Sequence, residues 1–178
     1  KEQGKLTMFG HSAGAKNLKR IIQKAIDLGV THTTFWALST ENLKRDKKEV
    51  DHIFSLFEKI TDYLGDFITH NAKFTIIGDM SDKIPENVQK KLYDMVEKTK
   101  NADKMVITFA VNYGGRDEIV RATKKILNAG IDPETLSEET FATYLDTKEL
   151  PNPDMIIRTG GNKRLSGYLP WQSTYAEL

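Results

Sequence analysis

The sequence contains no cysteine, which excludes a disulfide framework, a thiol nucleophile and a cysteine-ligated zinc site. That absence fits a reducing compartment, and the cytoplasm is the expected location. Net charge is also lacking: 26 Lys plus Arg stand against 25 Asp plus Glu, a formal +1. No global field draws such a chain to nucleic acid, so an anion site has to be assembled locally. No run approaches the roughly 18 apolar residues that a membrane-spanning helix needs, and no apolar signal segment opens the chain. Any membrane contact is expected to be peripheral. What is present is 39% apolar and 29% charged residues over 178 positions, which suits one globular domain with a sizeable core. Because the chain starts at Lys1 and stops at Leu178 within an apolar-aromatic stretch, it is expected to be a piece of a longer polypeptide, a single domain truncated at both ends.

Periodicity supplies the elements. Leu18, Ile21, Ile22, Ala25 and Ile26 recur at helical spacing before Gly29, predicting a helix over 12–28. Residues 31–39 are rich in β-branched and aromatic side chains and read as a buried strand ending in Ser39-Thr40-Glu41-Asn42. From Lys47 to Thr69, Val50, Ile53, Phe54, Phe57, Ile60, Leu64, Phe67 and Ile68 follow a three-and-four rule and predict one long helix. A strand over 73–77, a helix opened by Pro85, a strand over 105–111, a helix after Arg116, a short helix near 137–145 and a last strand over 155–157 complete the pattern. Strands alternating with helices predict an α/β fold, a mostly parallel sheet with helices on both faces. Ligands in such sheets bind beyond the carboxyl ends of strands, here the segments Ser39–Asn42, Asn112–Arg116 and Arg158–Gly161.

Two constellations compete for the chemistry. Gly10-His11-Ser12-Ala13-Gly14 matches the nucleophile elbow of serine hydrolases. The four histidines stand at 11, 32, 52 and 70, so none follows a late strand to serve as base, and a small-residue helix start is the better reading. The second constellation is cationic. Arg45 follows the Ser39–Asn42 turn, while Arg158 and Arg164 flank Gly160-Gly161, with Ser166 close by. Guanidinium forks and glycine-exposed backbone N–H groups suit a diphosphate. Arg20 and Arg121 read instead as exposed helix-face arginines paired with carboxylates.

The blocks Gly10–Gly14, Ser39–Arg45 with Glu49, Asn112–Arg116, Arg158–Gly161, Arg164–Ser166 and Trp171–Leu178, in this order and spacing, resemble the cis-prenyltransferases. The resemblance implies condensation of isopentenyl diphosphate onto an allylic diphosphate such as farnesyl diphosphate, giving a long polyprenyl diphosphate carrier lipid. It implies a Mg²⁺ requirement, a homodimer and membrane contact through the lipid product, with no nucleic-acid partner. By the same resemblance Arg158, Arg164 and Ser166, with Leu165 between them, hold isopentenyl diphosphate. His11, Ser39, Thr40, Glu41 and Arg45 line the substrate region, Asn42 is the proton acceptor, and Glu177 assists magnesium. A tail cavity walled by the long helix and the strand 106–109, with Ile107 near its floor, is a further expectation.

Departures from the family pattern bear on activity. The family's metal-binding aspartate lies in an Asp-Gly-Asn-Gly-Arg segment that would precede Lys1, so the chain alone is expected to be inactive or nearly so. Thr7, Leu43 and Asn162 stand where the family usually has Arg, Trp and often Glu. A non-catalytic relative acting as a binding or regulatory subunit is the alternative, disfavoured because Asn42, Arg45, Arg158 and Arg164 are all present.

Overall fold

The computed structural model describes residues 7–60 and 64–178, leaving aside the side chains of 7–13, 15–16, 60, 64 and 66–67. They fall into two compact units, Lys1–Asn112 and Tyr113–Leu178. In the first unit the order is α1 (Thr7–Asp27), β1 (His32–Trp36), α2 (Lys47–Ile60), α3 (Leu64–Thr69), β2 (Ala72–Ile77), α4 (Glu86–Thr99) and β3 (Met105–Ala110). The second holds α5 (Gly115–Asn128) and α6 (Glu138–Ala142).

The strands form a parallel sheet flanked by helices, in the order β1-β3-β2, with Phe35 opposite Phe109 and Phe74 opposite Ile107. Parallel register puts Phe35, Phe74, Ile76, Met105, Ile107 and Phe109 on one face. That face joins Ile22, Ala25, Ile53, Phe54, Phe57, Val88, Leu92 and Met95 in one apolar core, and Phe109 stacks obliquely on Phe35 and Phe74, at 5.5 and 5.1 Å between ring centroids. The helical spacing read from the sequence holds for α2 and α4. In α1 it holds for Leu18, Ile22, Ala25 and Ile26, while Ile21 is exposed. Ile107 is fully buried in this core, so its packing is that of a core side chain.

One expectation is met, one is met where the chain is described, and one is corrected. Residues 10–14 lie inside α1, whereas a nucleophile elbow requires a sharp strand-to-helix turn; the hydrolase reading falls with that. The 47–69 helix is described as α2 and α3, with 61–63 outside the described residues. Residues 155–157 form no sheet strand: Met155 makes one isolated bridge with Glu177.

The carboxyl edge of the sheet is tied at its centre. Asn112, at φ +48°, donates from Nδ2 to the Asp79 carbonyl at 2.7 Å, and Asp79 N–H returns a bond to the Asn112 carbonyl at 3.3 Å. Between these bonds the β2 and β3 backbones approach so closely that a Cβ on Gly78 would sit 2.0 Å from the Val111 carbonyl oxygen. Only glycine fits there.

In the second unit, Tyr113, Glu118, Ala122, Ile126, Leu145, Ile156, Leu169 and Gln172 are buried. Phe141 and Trp171 stack at 4.7 Å. Val120 and Leu127, apolar residues of α5, are both exposed.

Candidate active site

Beyond β1 the chain turns at once. Ala37 and Leu38 N–H groups both donate to the Ala110 carbonyl, at 3.0 and 3.1 Å, and Leu38 is buried, which fixes Ser39 at the carboxyl edge. The Ser39 hydroxyl donates to Asn42 Oδ1 and accepts from the Asn42 N–H at 3.2 Å. Asn42 then opens a 3₁₀ turn, Asn42–Lys44, with Glu41 at its cap. Asp46 caps α2 by accepting from the Lys48 N–H at 2.8 Å. Arg45 pairs with Glu49 one helical turn on, at 2.5 Å, with its side chain 42% exposed; a pair this open is worth about 0.3–0.5 kcal/mol. Ser39, Thr40, Glu41, Asn42 and Arg45 therefore share one turn at the end of β1. His11 lies on α1, and its side chain is outside the described residues.

The second unit gathers the other predicted residues. Arg158 Nη1 donates to the Ser166 hydroxyl at 2.8 Å and to the Arg164 carbonyl. All three residues are exposed, and the remaining Arg158 N–H donors carry no protein hydrogen bond among the described residues. A guanidinium anchored by one corner, with the rest of its fork open beside a hydroxyl, presents the donor geometry that a bidentate oxyanion accepts. Ser166 and Gly167 adopt φ of +54° and +89°, turning the chain sharply at the cluster. The expected route to this site, Arg158 carried off the end of a sheet strand, is replaced by a loop folded on itself.

That loop rests on a buried network that sequence reasoning misses. Glu118 lies in the first turn of α5, where a carboxylate is ordinarily solvated, yet it is 1% exposed. It accepts from Tyr113 Oη at 2.6 Å, from Gln172 Nε2 at 3.0 Å and from the Asp146 N–H at 2.9 Å. Gln172 Nε2 also donates to Thr147 Oγ1 at 2.7 Å. Arg121 is not an exposed helix-face arginine: it grips Asp146 with both Nη atoms, at 2.7 and 2.6 Å, and Asp117 through Nε at 2.8 Å. Burial alone would lower the Arg121 pKa; the hydrogen bonds to Asp146 and Asp117 outweigh it and hold the guanidinium above its ordinary value. Asp146→Ala removes the bidentate partner of a side chain only 22% exposed. The expected loss is about 2–3 kcal/mol, read as a fall in Tm of about 5–10 °C.

Burial, then the charge of Glu118 and the hydrogen bond to it, push the Tyr113 phenol far above its ordinary pKa. Burial does the same for Tyr168, whose ring meets that of Tyr113 edge-on at 6.3 Å. A raised folded-state pKa leaves stability intact below the unfolded value near pH 10. Above it the unfolded chain sheds protons that the folded chain keeps, and each tyrosine then costs about 1.4 kcal/mol per pH unit. Denaturant unfolding at pH 9, 10 and 11 should show stability flat to about pH 10 and falling beyond it, with a shallower fall in Tyr168→Phe. An equal slope in that variant would contradict the assignment.

Among the described residues no group of three or more His, Cys, Asp or Glu side chains could hold a metal ion, and magnesium at phosphate sites is commonly held by one or two carboxylates together with substrate oxygens and water. Glu177 is exposed, and it is its backbone that is engaged: its carbonyl accepts from the Ile156 N–H at 2.7 Å and its N–H donates to the Asp154 carbonyl at 3.0 Å. Among the described residues, no helix is long and apolar enough to cross a membrane.

Comparison with known proteins settles the lineage. The prenyltransferase family model, described as undecaprenyl diphosphate synthase, matches residues 1–178. The chain belongs to that family. An isoprenyl transferase of Chlamydia pneumoniae is 41% identical over 99% of this chain and 72% of its own. A tritrans,polycis-undecaprenyl-diphosphate synthase (geranylgeranyl-diphosphate specific) of Methanocaldococcus jannaschii is 40% identical over 98% of this chain and 65% of its own. Among solved structures, a probable undecaprenyl diphosphate synthase from Campylobacter jejuni superposes with a TM-score of 0.82 at 34% identity, covering 98% of this chain and 79% of that one. Lavandulyl diphosphate synthase from Lavandula x intermedia, in complex with dimethylallyl diphosphate, gives 0.86 at 33% identity, covering 96% and 76%. The undecaprenyl diphosphate synthase family thus accounts for the parallel sheet, and the resemblance drawn from the sequence blocks is borne out.

Proposed function

We propose that this chain is the cis-prenyltransferase its lineage suggests, joining isopentenyl diphosphate to an allylic diphosphate such as farnesyl diphosphate to build a long polyprenyl diphosphate. The match of the family model along all 178 residues carries this reading, and the Arg158–Arg164–Ser166 cluster supports it. In the reaction the allylic C–O bond breaks, a C–C bond forms between the allylic C1 and the isopentenyl C4, and a proton leaves C2 as the new C2=C3 bond forms. Diphosphate departs.

Negative charge builds on the leaving oxygens during this step, so fixed donors aimed at them lower the barrier. Arg45, with Ser39 and Thr40, is assigned to the allylic diphosphate, and Arg158, Arg164 and Ser166 to isopentenyl diphosphate, with Leu165 beside its hydrocarbon. Asn42 is assigned to the departing proton, which its Oδ1 accepts as a hydrogen bond. That oxygen already takes the Ser39 hydroxyl, and a neutral amide is too weak a base to keep a proton. The side chain therefore orients the C–H bond, and a diphosphate oxygen is the proton's destination. His11 and Glu41 complete the substrate wall, and Glu177 is assigned the supporting role the family resemblance gives it.

The full-length gene product, incubated with farnesyl diphosphate, labelled isopentenyl diphosphate and Mg²⁺, should yield butanol-extractable label. No label above the no-enzyme blank would reject the proposal in favour of a non-catalytic binding subunit.

A further inference from the structure

We infer that Glu118 and Gln172 are positioning residues for the loop that carries Arg164 and Ser166, acting on isopentenyl diphosphate binding without touching it. The inference rests on the function proposed above. Ser166 is exposed on a loop whose φ values of +54° at Ser166, +89° at Gly167 and +45° at Leu169 no local helix or strand enforces. Three contacts hold it instead. The Gly115 N–H donates to the Gly167 carbonyl at 2.8 Å, the Tyr113 ring meets Tyr168 edge-on, and Gln172 donates to Glu118 at 3.0 Å.

Glu118 is the hub, because Tyr113 reaches the same carboxylate through its hydroxyl at 2.6 Å. One buried side chain thus secures both the ring under Tyr168 and the amide that ends the loop. Gln172 keeps its amino group turned toward Glu118 and Thr147 although its own Oε1 is buried without a partner. An orientation that leaves a buried acceptor unmet is held by the two acceptors on the other side, the Glu118 carboxylate and the Thr147 hydroxyl.

The chemistry of position 118 makes the idea testable. Its two oxygens face only donors: the Asp146 N–H on one, Tyr113 and Gln172 on the other. Glutamine there is nearly isosteric, but its NH₂ must confront at least one of those donors. In the full-length gene product, Glu118→Gln should raise the KM for isopentenyl diphosphate about tenfold while the KM for farnesyl diphosphate stays within about twofold. Amides 164–168 should exchange hydrogen faster in the variant, and those of β2 and β3 should not.

An unchanged isopentenyl KM in a folded variant overturns the inference. So does a parallel change of both KM values and kcat with uniform loss of protection, which marks a role in stability alone. If Glu118→Gln does not fold, Tyr113→Phe removes one donor and leaves the carboxylate; a rise of about threefold in the same KM supports the inference, and none overturns it. Should wild type itself make no product, the proposed function fails, and exchange at 164–168 still decides whether Glu118 holds the loop.

Discussion

Arg158→Ala should raise the KM for isopentenyl diphosphate about 10- to 100-fold, because a charge-assisted hydrogen bond to a diphosphate contributes about 1.5–3 kcal/mol. Two effects add. The variant removes a fork of donors from the ligand, and it also removes the bonds from Nη1 to Ser166 and to the Arg164 carbonyl, so the neighbouring groups lose their anchor. Arg158→Lys separates the effects. An ammonium keeps the charge but cannot span the hydroxyl, the carbonyl and a bidentate oxyanion together, so most of the loss should remain. Because Arg158 is exposed, folding should be almost untouched, and Tm should stay within about 2 °C of wild type. Steady-state kinetics with isopentenyl diphosphate varied at saturating farnesyl diphosphate measures the effect. A KM within twofold of wild type would remove Arg158 from the diphosphate site.

What the residue pattern makes legible follows from which forces act locally. β1, β2 and β3 are visible because short β-branched and aromatic runs bounded by polar turns have few other uses. The Ser39–Arg45 turn is visible for a related reason: strand ends in parallel sheets concentrate polar chemistry. Residues 155–157 mislead because Met-Ile-Ile has the composition of a strand, whereas pairing depends on a partner far along the chain, and Glu177 supplies only one bridge.

The face of α5 misleads differently. Val120 and Leu127 draw attention as apolar residues, while the buried stripe is Glu118, Ala122 and Ile126, spaced by four. That spacing is a usable signal, hidden because one of its members is a carboxylate. A buried Glu is improbable from composition and becomes tolerable only when donors converge on it. Tyr113, Gln172 and the Asp146 N–H converge from 5, 54 and 28 residues away, and no local window contains them.

Gly115→Ala should both destabilise the second unit and weaken isopentenyl diphosphate binding, and helix propensity makes the test a clean one. Gly115 is the first residue of α5, where alanine would normally gain up to about 1 kcal/mol. A Cβ there would lie 2.0 Å from Pro170 Cδ, 2.3 Å from Pro170 Cγ and 2.9 Å from the Gly167 carbonyl oxygen. The proline ring cannot swing aside as a flexible side chain would, so segment 167–170 must move. Its displacement breaks the bond by which Gly167 satisfies one of the unpaired N–H groups at the helix start and carries Ser166 away from Arg158. Overpacking of this kind costs about 1–3 kcal/mol. Since the intrinsic preference of alanine runs the other way, any net loss reports the loop rather than the helix. The expected result is a Tm lowered by several degrees together with an isopentenyl diphosphate KM raised at least about tenfold. Gly130→Ala, where an added Cβ would meet no heavy atom within 4 Å but φ is +65°, serves as the control: backbone strain alone should lower Tm and leave that KM where it was.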